Sequence, residues 1–430
     1  MVKRRKLREP LENRKGSLFF DGCSVKVLAE KYDTPLYVVS EKRLRDNYNR
    51  IHDALIRNYK HVRVYYAAKA NSNLTVLKIL QSQGAYLDTV SPGEVFMGLI
   101  SGYTPDRIMF TGTSVRNDEL KMLADANVTV NIDSQSELDR LLKIAVPQVL
   151  SVRVNPEIGA GHHSHCVTAG PDSKFGLWEE EVIQAYAIAK RARVERFGIH
   201  MHIGSGILDV EPYILAVEKL LSIAKRVHDE VGIEFEFIDI GGGFGVPYKP
   251  EDQEFDLAEF ASKVVTPFKG KVVEYGLGKP FLCIEPGRYL VCDASILLTT
   301  VNTVKVTPSK KFVGVDAGFN TLVRPTMYGS YHPILVANKL VAADKETYDV
   351  VGPICESGDA LAKDRALPLV DEGDLLAVLN AGAYGFSMSS QYNARPRAAE
   401  VLIRQGKSVV IREREQLDNL TANQRMAECP

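Results

Sequence analysis

The chain has 430 residues, of which 45% are hydrophobic and 25% charged, which is typical of a globular protein in water. Lys and Arg number 53 and Asp and Glu 54, so the formal net charge is −1. Nucleic acids and anionic membrane surfaces favour a strong basic excess in their partners, so neither is expected here. No apolar run approaches the roughly 20 residues that a membrane-spanning helix needs.

The basic amino-terminal residues 3–8 are interpreted as a solvated tail, with a basic binding arm as the alternative. No apolar stretch follows them, so a signal peptide is not expected. Residues 17–27 have the pattern of a strand. From about residue 36 to 285, short apolar runs alternate with helical patterns such as 179–192 and 211–231. The runs predicted as strands are 36–39, 62–68, 85–90, 107–111, 128–133, 148–154, 197–203 and 235–240.

Eight strands alternating with helices predict an α/β fold with a TIM-like (β/α)8 barrel, and a doubly wound sheet is the alternative. After about residue 290 the pattern changes to short β-type runs, which predict a mainly-β domain. These runs are 289–306, 311–315, 334–337, 348–352, 375–379 and 408–412. The expected parts are an amino-terminal segment 1–35 that packs with the β domain, a barrel 36–285, and a β domain 286–430 with substrate-binding and dimer-interface loops.

The cysteines show no pattern of pairing. Six occur, at positions 23, 166, 283, 292, 355 and 429, with neither a CxxC pair nor a regular spacing. In a chain of this length, such a distribution is typical of reduced thiols in a cytoplasmic protein.

Lys69 ends the second predicted strand, in the sequence VRVYYAAKAN. Burying an unpaired ammonium costs several kcal/mol, so this lysine either pairs with an acid or has a chemical task. At the carboxyl end of a barrel strand it is well placed to form an imine with an aldehyde cofactor. The residue alone does not decide between the two interpretations.

A glycine cluster ends the eighth predicted strand, in IDIGGGFGVPY. Gly241, Gly242 and Gly243 let the backbone approach an anion closely, and barrels often bind phosphate in their last loops. A dinucleotide-binding loop is the alternative, but it requires GxGxxG after the first strand of an α/β unit. The position of the cluster therefore favours a phosphate site.

The seventh predicted strand reads FGIHMHIGSG, so His200 and His202 alternate with Met201 and face one side of the strand. A zinc pair, here or in the HHSH run at 162–165, lacks a third ligand at metal spacing. His202 can instead stack on a flat cofactor ring, with Ser205 as a phosphate donor. A buried structural histidine is the alternative.

Glu285 follows an apolar run in FLCIEPGRYL and lies close to Arg288. A buried carboxylate loses its charge unless a cation holds it, and a protonated pyridine nitrogen is such a cation. Pairing Glu285 with this nitrogen keeps the pyridine ring protonated, and a protonated ring readily accepts an electron pair from the substrate. The alternative is a simple ion pair between Glu285 and Arg288.

The carboxyl-terminal domain contains polar, Gly-flanked segments that are typical of functional loops. They read DAGFNTLVRPTMYGSYH, CESGD and AGAYGFSMSSQYNARPR. Within CESGD, one interpretation makes Cys355 an acid and Glu356 an anion of a functional site. The alternative is that both are ordinary loop residues.

In this order, from about residue 17 to 410, these segments resemble the fold-type III, alanine-racemase-like pyridoxal-phosphate decarboxylases. The resemblance implies pyridoxal 5'-phosphate as cofactor, with an imine on Lys69, and a homodimer in which Cys355 and Glu356 reach into the partner's active site. His202 is then expected on the ring and Glu285 at the ring nitrogen. The expected cofactor residues are Lys69, Asp88, His202, Ser205, Gly241, Gly242, Gly243, Glu285, Gly287, Arg288 and Tyr384.

Glu285 favours decarboxylation over racemisation, because the resemblance implies that racemases of this fold place an arginine at the ring nitrogen. Arg324 and Tyr328 suit a distal carboxylate, which arginine grips through two hydrogen bonds. Arg288 and Tyr384 are further candidates at the substrate, and Glu356 can pair with a distal amino group. The expected reaction is decarboxylation of meso-2,6-diaminopimelate to L-lysine and carbon dioxide, the last step of lysine biosynthesis. Cys355 is the candidate proton donor, with a water molecule or Lys69 as alternatives.

Two other functions remain as alternatives. One is a pyridoxal-phosphate decarboxylase of a basic amino acid, ornithine, arginine or lysine, which needs acidic residues at the distal cation. The other is a non-catalytic, decarboxylase-like binding protein. Such a protein would be expected to lose the lysine, the cysteine or the glycine loop, and all three are present.

Overall fold

The computed structural model describes residues 7–161, 168–170, 172–343 and 346–427. Most of the basic tail and the HHSH run at 162–165 lie outside these ranges. Within them, no helix is both long and apolar enough to cross a membrane. The chain divides into two compact units, one formed by residues 1–44, 248–250 and 291–430 and the other by residues 45–247 and 251–290.

The second unit is a closed barrel, which in the described residues has eight parallel strands. In chain order they are Val62–Ala67, Tyr86–Thr89, Ile108–Phe110, Thr129–Ile132, Val149–Val154, Arg196–Met201, Phe235–Asp239 and Phe281–Ile284. The eighth strand pairs with the first, in the register Leu282 to Val62, and this pairing closes the ring. The barrel prediction is confirmed, and the doubly wound sheet is excluded.

Helices alternate with the barrel strands and match the two helical patterns predicted at 179–192 and 211–231. They are Leu74–Ser82, Pro92–Ile100, Asn117–Ala126, Gln135–Ile144, Glu179–Arg191, Glu211–Val231, Leu257–Phe260 and Thr266–Glu274. A π-helical turn, Ala261–Val265, joins the last two of these helices. A further helix, Glu41–Ile56, precedes the first barrel strand. Shorter helices are Val25–Tyr32, Arg288–Val291 and Arg324–Tyr328.

Two of these helices begin with the same cap. The hydroxyls of Ser91 and Ser134 accept the backbone N–H of Glu94 and Glu137, respectively. The carboxylates of Glu94 and Glu137 in turn accept a backbone N–H just before the helix, from Val90 and Asp133, respectively. This reciprocal arrangement satisfies two donors that a helix leaves unpaired at its start.

The strand predicted at 36–39 was wrongly assigned to the barrel. It is Leu36–Ser40, which pairs antiparallel with Ser295–Val306 and parallel with Ala399–Arg404 in the β unit. All five of its residues are buried, so it has the continuous apolar pattern of a barrel strand. Periodicity alone does not say to which sheet such a strand belongs.

The barrel strand that the prediction left out is Phe281–Ile284. The numbering of the strands therefore shifts by one along the barrel. Lys69 follows the first strand, His200 lies on the sixth, the glycine cluster follows the seventh, and Glu285 directly follows the eighth. All four stay at the carboxyl ends of the strands, where barrel enzymes place their active sites.

The barrel interior changes from apolar to polar along its axis. Tyr65, Met109, Phe237 and Cys283 pack together as one apolar cluster. A side chain at Gly198 would be only 2.0 Å from the Phe237 ring, so this position needs glycine. His200 and Asp239 lie two residues further along their strands than Gly198 and Phe237, on the same face. Together with Asp88, Asn131 and Arg153 they form the polar layer, a set of buried polar side chains on the barrel strands.

The other unit contains a sheet that has nine strands within the described residues. They are Leu36–Ser40, Ser295–Val306, Lys311–Val315, Ile334–Val336, Glu346–Val351, Ala360–Leu367, Leu375–Val378, Ala399–Arg404 and Lys407–Arg412. A small sheet of Leu11–Arg14, Ser17–Phe20 and Cys23–Ser24 precedes them. Leu18 and Phe20 share a core cluster with Val38 and Leu298, so the amino-terminal strands pack with the β unit.

Two details of the prediction for this unit were incomplete. The strands Ala360–Leu367 and Ala399–Arg404 were not predicted, because charged residues and alanines interrupt their apolar pattern. The unit boundaries fall after residues 44 and 290, whereas the barrel was expected over 36–285. The difference follows from the exchange of one barrel strand described above.

Candidate active site

Lys69 lies in a short 3-10 turn, Ala68–Ala70, directly after the first barrel strand. Its Nζ is 3.1 Å from Oδ2 of Asp88, which is fully buried on the second strand. The Thr111 hydroxyl donates to the other carboxylate oxygen of Asp88. Burial and the nearby Glu285 raise the pKa of Asp88, and Lys69 opposes this rise. Asp88 therefore holds the Lys69 amine at the carboxyl end of the barrel.

Glu285 faces a histidine inside the barrel. Its Oε1 lies 3.2 Å from Nε2 of His200, and both side chains are buried. Burial favours the neutral form of Glu285, but His200, Lys69 and His202 outweigh it and hold the pKa of Glu285 below its ordinary value. Glu285 is therefore a buried anion. The simple ion pair with Arg288, which the sequence left open, is not its closest contact.

His202 is fixed by the glycine loop. Its Nδ1 accepts the backbone N–H of Gly242 at 3.0 Å, so the ring proton is on Nε2. Burial lowers the pKa of His202 well below its ordinary value, and the cations Lys69 and Arg153 lower it further. The ring is therefore a neutral, flat surface at the carboxyl end of the sixth strand. A zinc pair with His200 is disfavoured, because the two histidines have separate partners.

The glycine loop follows a path that side chains would block. A Cβ at Gly241 would lie 2.4 Å from the Met201 carbonyl oxygen, and one at Gly242 would lie 2.0 Å from that of Glu285. Gly241 also has a φ of 75°, which glycine adopts without strain. The Glu285 N–H donates to the Gly241 carbonyl at 2.9 Å. The loop and Glu285 thus form one packed assembly.

Polar donors lie beside this loop. Ser205 belongs to a two-residue strand, Gly204–Ser205, and its hydroxyl accepts a hydrogen bond from Arg288 Nη2 at 3.1 Å. Arg288 begins the helix after the eighth strand, and Gly287 is the buried residue before it. An arginine, a hydroxyl and a glycine loop are the usual donors to a phosphate.

The sequence interpretation missed Arg153 on the fifth strand. It is buried, with its Nη1 4.0 Å from Asp133 Oδ1 and its guanidinium 4.4 Å from the centre of the Phe175 ring. Burial lowers its pKa, against the effect of nearby carboxylates. A cation inside an apolar strand, SVRV, was the available signal, and it is the same signal that identified Lys69.

The β unit brings together the residues predicted to bind the substrate. Arg324 is buried, and its Cζ lies 5.6, 5.7 and 5.9 Å from the ring centres of Tyr248, Tyr328 and Tyr384. Its Nη2 donates to the Ser330 hydroxyl at 3.1 Å, whereas its buried Nε makes no hydrogen bond within the described residues. Tyr248 was not predicted, because it is far from Arg324 in sequence.

Cys355 and Glu356 lie on an exposed loop of the β unit. The Cys355 backbone N–H donates to Asn393 Oδ1 at 2.8 Å. The buried carboxylate of Asp359 accepts the N–H groups of Ile354 and Phe319 at 2.7 and 2.6 Å. The loop is therefore tied to two others, although its own cysteine and glutamate face solvent in the single chain.

The residues of the barrel fit pyridoxal phosphate. An aldehyde needs an amine, which Lys69 supplies, and a phosphate needs donors such as those beside the glycine loop. A protonated ring nitrogen needs a buried anion, which Glu285 supplies. Oε1 of Glu285 makes no well-aligned hydrogen bond in the described residues, so this carboxylate retains capacity to accept one. Among the described residues, His200, Asp239 and Glu285 also bring three potential metal ligands within 4.8 Å of one another.

A barrel with an imine-forming lysine, a phosphate-type loop and a buried anion defines a pyridoxal-phosphate enzyme. The model of the pyridoxal-dependent decarboxylase family, pyridoxal binding domain, matches residues 42–292. A diaminopimelate decarboxylase from Methanothermobacter thermautotrophicus is 55% identical over 413 residues, 96% of each chain. One from Archaeoglobus fulgidus is 42% identical over 96% of this chain and 98% of its own. The chain belongs to the diaminopimelate decarboxylase family.

A solved structure agrees with this assignment. The diaminopimelate decarboxylase of Methanocaldococcus jannaschii in complex with L-lysine superposes with a TM-score of 0.90 at 35% identity, over 97% of this chain and 98% of that one. The predicted family, fold class and cofactor are thereby confirmed. The roles of individual site residues remain predictions.

Proposed function

We propose that the protein is a pyridoxal-phosphate-dependent carboxy-lyase that converts meso-2,6-diaminopimelate to L-lysine and carbon dioxide, the last step of lysine biosynthesis. The observation that carries this proposal is the 55% identity, over 96% of both chains, to a diaminopimelate decarboxylase. A relative of the same name is bound to L-lysine, the product expected of this reaction. The site residues described above fit that chemistry.

Bound pyridoxal phosphate supplies an aldehyde for amines and a protonated ring that accepts the electron pair released with carbon dioxide. Lys69 provides the amine, and Asp88, 3.1 Å away, orients it and balances its charge. Glu285 would accept a hydrogen bond from the ring N–H and so keep the ring protonated. His202, neutral and fixed by Gly242, would pack against the face of the ring.

The phosphate is held by the glycine loop and its neighbours. Gly241, Gly242 and Gly243 bring backbone close to the anion, and Ser205 and Arg288 add side-chain donors. Because Arg288 already contacts Ser205, a place at the phosphate suits it better than a place at the distal end of the substrate.

Arg324 selects the substrate in this proposal. Its guanidinium has an unused buried Nε and binds the distal carboxylate through paired hydrogen bonds. Tyr328 and Tyr384 line the same position. Ornithine, arginine and lysine have no distal carboxylate, so they would leave Arg324 buried without an anion. Such a loss typically costs about 1–3 kcal/mol.

We further propose a homodimer with shared active sites. Cys355 and Glu356 are exposed in the single chain, yet their loop is held by Asp359 and Asn393. A rigid, exposed loop with an acid and a thiol suits a partner's site. There, Cys355 delivers a proton to the substrate carbon that lost carbon dioxide, and Glu356 pairs with the distal amino group. The cytoplasm is the proposed compartment, since the cysteines at 23, 283, 292 and 355 form no disulfide within the part of the chain that the structure describes.

Release of carbon dioxide from meso-diaminopimelate, ornithine, arginine and lysine tests the reaction directly. We expect diaminopimelate to be preferred by at least tenfold in kcat/KM, the factor that about 1.4 kcal/mol provides. A preference for any of the three basic amino acids would contradict the proposal. The absence of turnover with all four in the cofactor-loaded protein would contradict it as well.

Mixing two inactive variants tests the shared site. Lys69→Ala and Cys355→Ala should each be nearly inactive alone. In a C2 dimer with shared sites, half of the randomly mixed dimers contain one intact site, so about a quarter of the wild-type activity should return. If mixing restores nothing although dimers exchange, each site is built from one chain.

A further inference from the structure

Behind Glu285, the barrel interior contains two polar side chains that the proposed reaction does not use. His200 on the sixth strand and Asp239 on the seventh are register partners in adjacent parallel strands. Their side chains therefore leave the strands on the same side, toward the barrel axis. Both are buried, at 1% and 0% exposure. One ring nitrogen of His200, one carboxyl oxygen of Asp239 and one carboxylate oxygen of Glu285 lie within 4.8 Å of one another.

His200 turns a donor toward Glu285. The Asn131 amide nitrogen lies 3.3 Å from Nδ1 of His200 and donates to it, which leaves the ring proton on Nε2. That nitrogen is 3.2 Å from Oε1 of Glu285. The Asn131 side chain is itself buried on the fourth strand, so the orientation of the imidazole is set by the barrel.

Asp239 is fully buried, and its two carboxyl oxygens have different surroundings. Its Oδ1 accepts the Gly241 N–H at 2.7 Å, while its Oδ2 is buried without a hydrogen bond in the described residues. Burial, and then repulsion from Glu285, raise the pKa of Asp239 well above its ordinary value. This shift favours the protonated form of the Asp239 carboxyl group, which is the form that can donate a hydrogen bond.

We propose that His200 and Asp239 are positioning residues that fix the Glu285 carboxylate as an anion aimed at the ring nitrogen of the cofactor. This inference rests on the role of Glu285 in the proposed function. His200 Nε2 lies 3.2 Å from Oε1 of Glu285, and a carboxyl oxygen of Asp239 lies within 4.8 Å of the Glu285 carboxylate. In this inference both side chains face one side of Glu285 and leave its other side to accept the ring N–H. Among the described residues, the other titratable or charged groups that act on Glu285 include Lys69, Asp88 on the second strand, Arg153 on the fifth, and the neutral His202.

Binding to the cofactor-free protein separates this role from a structural one. The probes are pyridoxal phosphate and 1-deazapyridoxal phosphate, in which a C–H replaces the ring nitrogen. Wild type should bind pyridoxal phosphate more tightly. His200→Leu should reduce that preference by roughly tenfold to a hundredfold, the value of a charge-assisted hydrogen bond. The affinity for the deaza analogue should stay within about threefold.

Asp239 offers a sharper pair of variants. Asn has the shape of protonated Asp and keeps both an acceptor for Gly241 and a donor for Glu285. Asp239→Asn should therefore retain the preference, whereas Asp239→Ala should lose it. Tyr213→Phe is the matched control, because the Tyr213 hydroxyl donates to the Gly242 carbonyl at 2.9 Å. It should weaken both probes equally through the loop.

Three outcomes decide the matter. If Glu285→Gln keeps the preference for pyridoxal phosphate, the role of Glu285 in the proposed function fails. If Glu285→Gln abolishes the preference but His200→Leu and Asp239→Ala keep it, the proposed function stands and this inference is overturned. Equal weakening of both probes in the His200 and Asp239 variants also overturns it, since that result indicates a structural role only.

Discussion

Lys69 Nζ lies 3.1 Å from Oδ2 of Asp88 at the carboxyl end of the barrel. The lysine side chain is 35% exposed and the aspartate side chain 0%. The buried Asp88 thus fixes the position of the partly exposed Lys69, and the lysine amine stays accessible to a cofactor. The pair explains why a lysine can end an apolar strand, and it joins the two interpretations that the sequence left open: Lys69 is both ion-paired and placed for chemistry.

The Lys69–Asp88 pair should be energetically coupled in the cofactor-free protein. Removing Lys69 takes away the ammonium that lies 3.1 Å from the buried Asp88, and removing Asp88 leaves the ammonium without this carboxylate. A double-mutant cycle with Lys69→Ala and Asp88→Ala should therefore give a coupling free energy of about 0.5–3 kcal/mol. Thermal unfolding of the four proteins measures it, and additive effects would show that the two side chains do not stabilise each other.

Arg324 should control the affinity for substrate. Replacing it with Ala removes a charge-assisted contact worth about 1.5–3 kcal/mol, so the KM for diaminopimelate should rise roughly tenfold to a hundredfold. Arg324→Lys should recover only part of this, because lysine lacks the planar fork. Arg404→Ala, at an exposed arginine that pairs with Glu41, is the control and should leave KM unchanged. An unchanged KM in Arg324→Ala would refute the assignment.

Glu137 should make folding stability depend on pH. Burial raises the pKa of this cap residue from 4.5 to about 7. Between these pH values the folded state retains a proton that the unfolded state releases, so this group's contribution to stability falls as pH rises through the window. The total change is about 3 kcal/mol. Glu137→Gln cannot ionise, so its unfolding temperature should rise relative to that of wild type from pH 4.5 to 7.

The control for this prediction is Glu181→Gln. Glu181 caps the helix Glu179–Arg191 in the same way, through the Trp178 N–H, but is exposed. Burial is the cause at Glu137, so the Glu181 variant should show a much smaller pH-dependent difference. Equal pH profiles for the two variants would contradict the assignment of the shift to burial.

The sequence predicted the barrel and most strand-end residues because these signals are local. Lys69, His202 and Glu285 each end or follow an apolar run, and a glycine cluster is visible at any position. The sheet to which Leu36–Ser40 belongs was not predictable in this way. Its buried pattern is the same in either unit, and its pairing with Ala399–Arg404 joins residues more than 350 positions apart.

The polar layer inside the barrel was also beyond the sequence pattern. Asn131 and Asp239 acquire their significance only in the closed barrel, where Asn131 contacts His200 and Asp239 is the register partner of His200. Nothing local distinguishes Asp239 from an ordinary acid at the end of a strand. Burial and the nearby Glu285 raise the pKa of Asp239 well above its ordinary value, and both causes exist only in the closed barrel.

Borohydride reduction of the cofactor-loaded protein, followed by peptide mass spectrometry, tests the central claim most directly. Reduction makes the bond between lysine and pyridoxal phosphate permanent. The phosphopyridoxyl group should be found on Lys69, and Lys69→Ala should lose both this label and the absorbance band of the bound cofactor. A label on another lysine, or an absorbance band that persists in Lys69→Ala, would contradict the account.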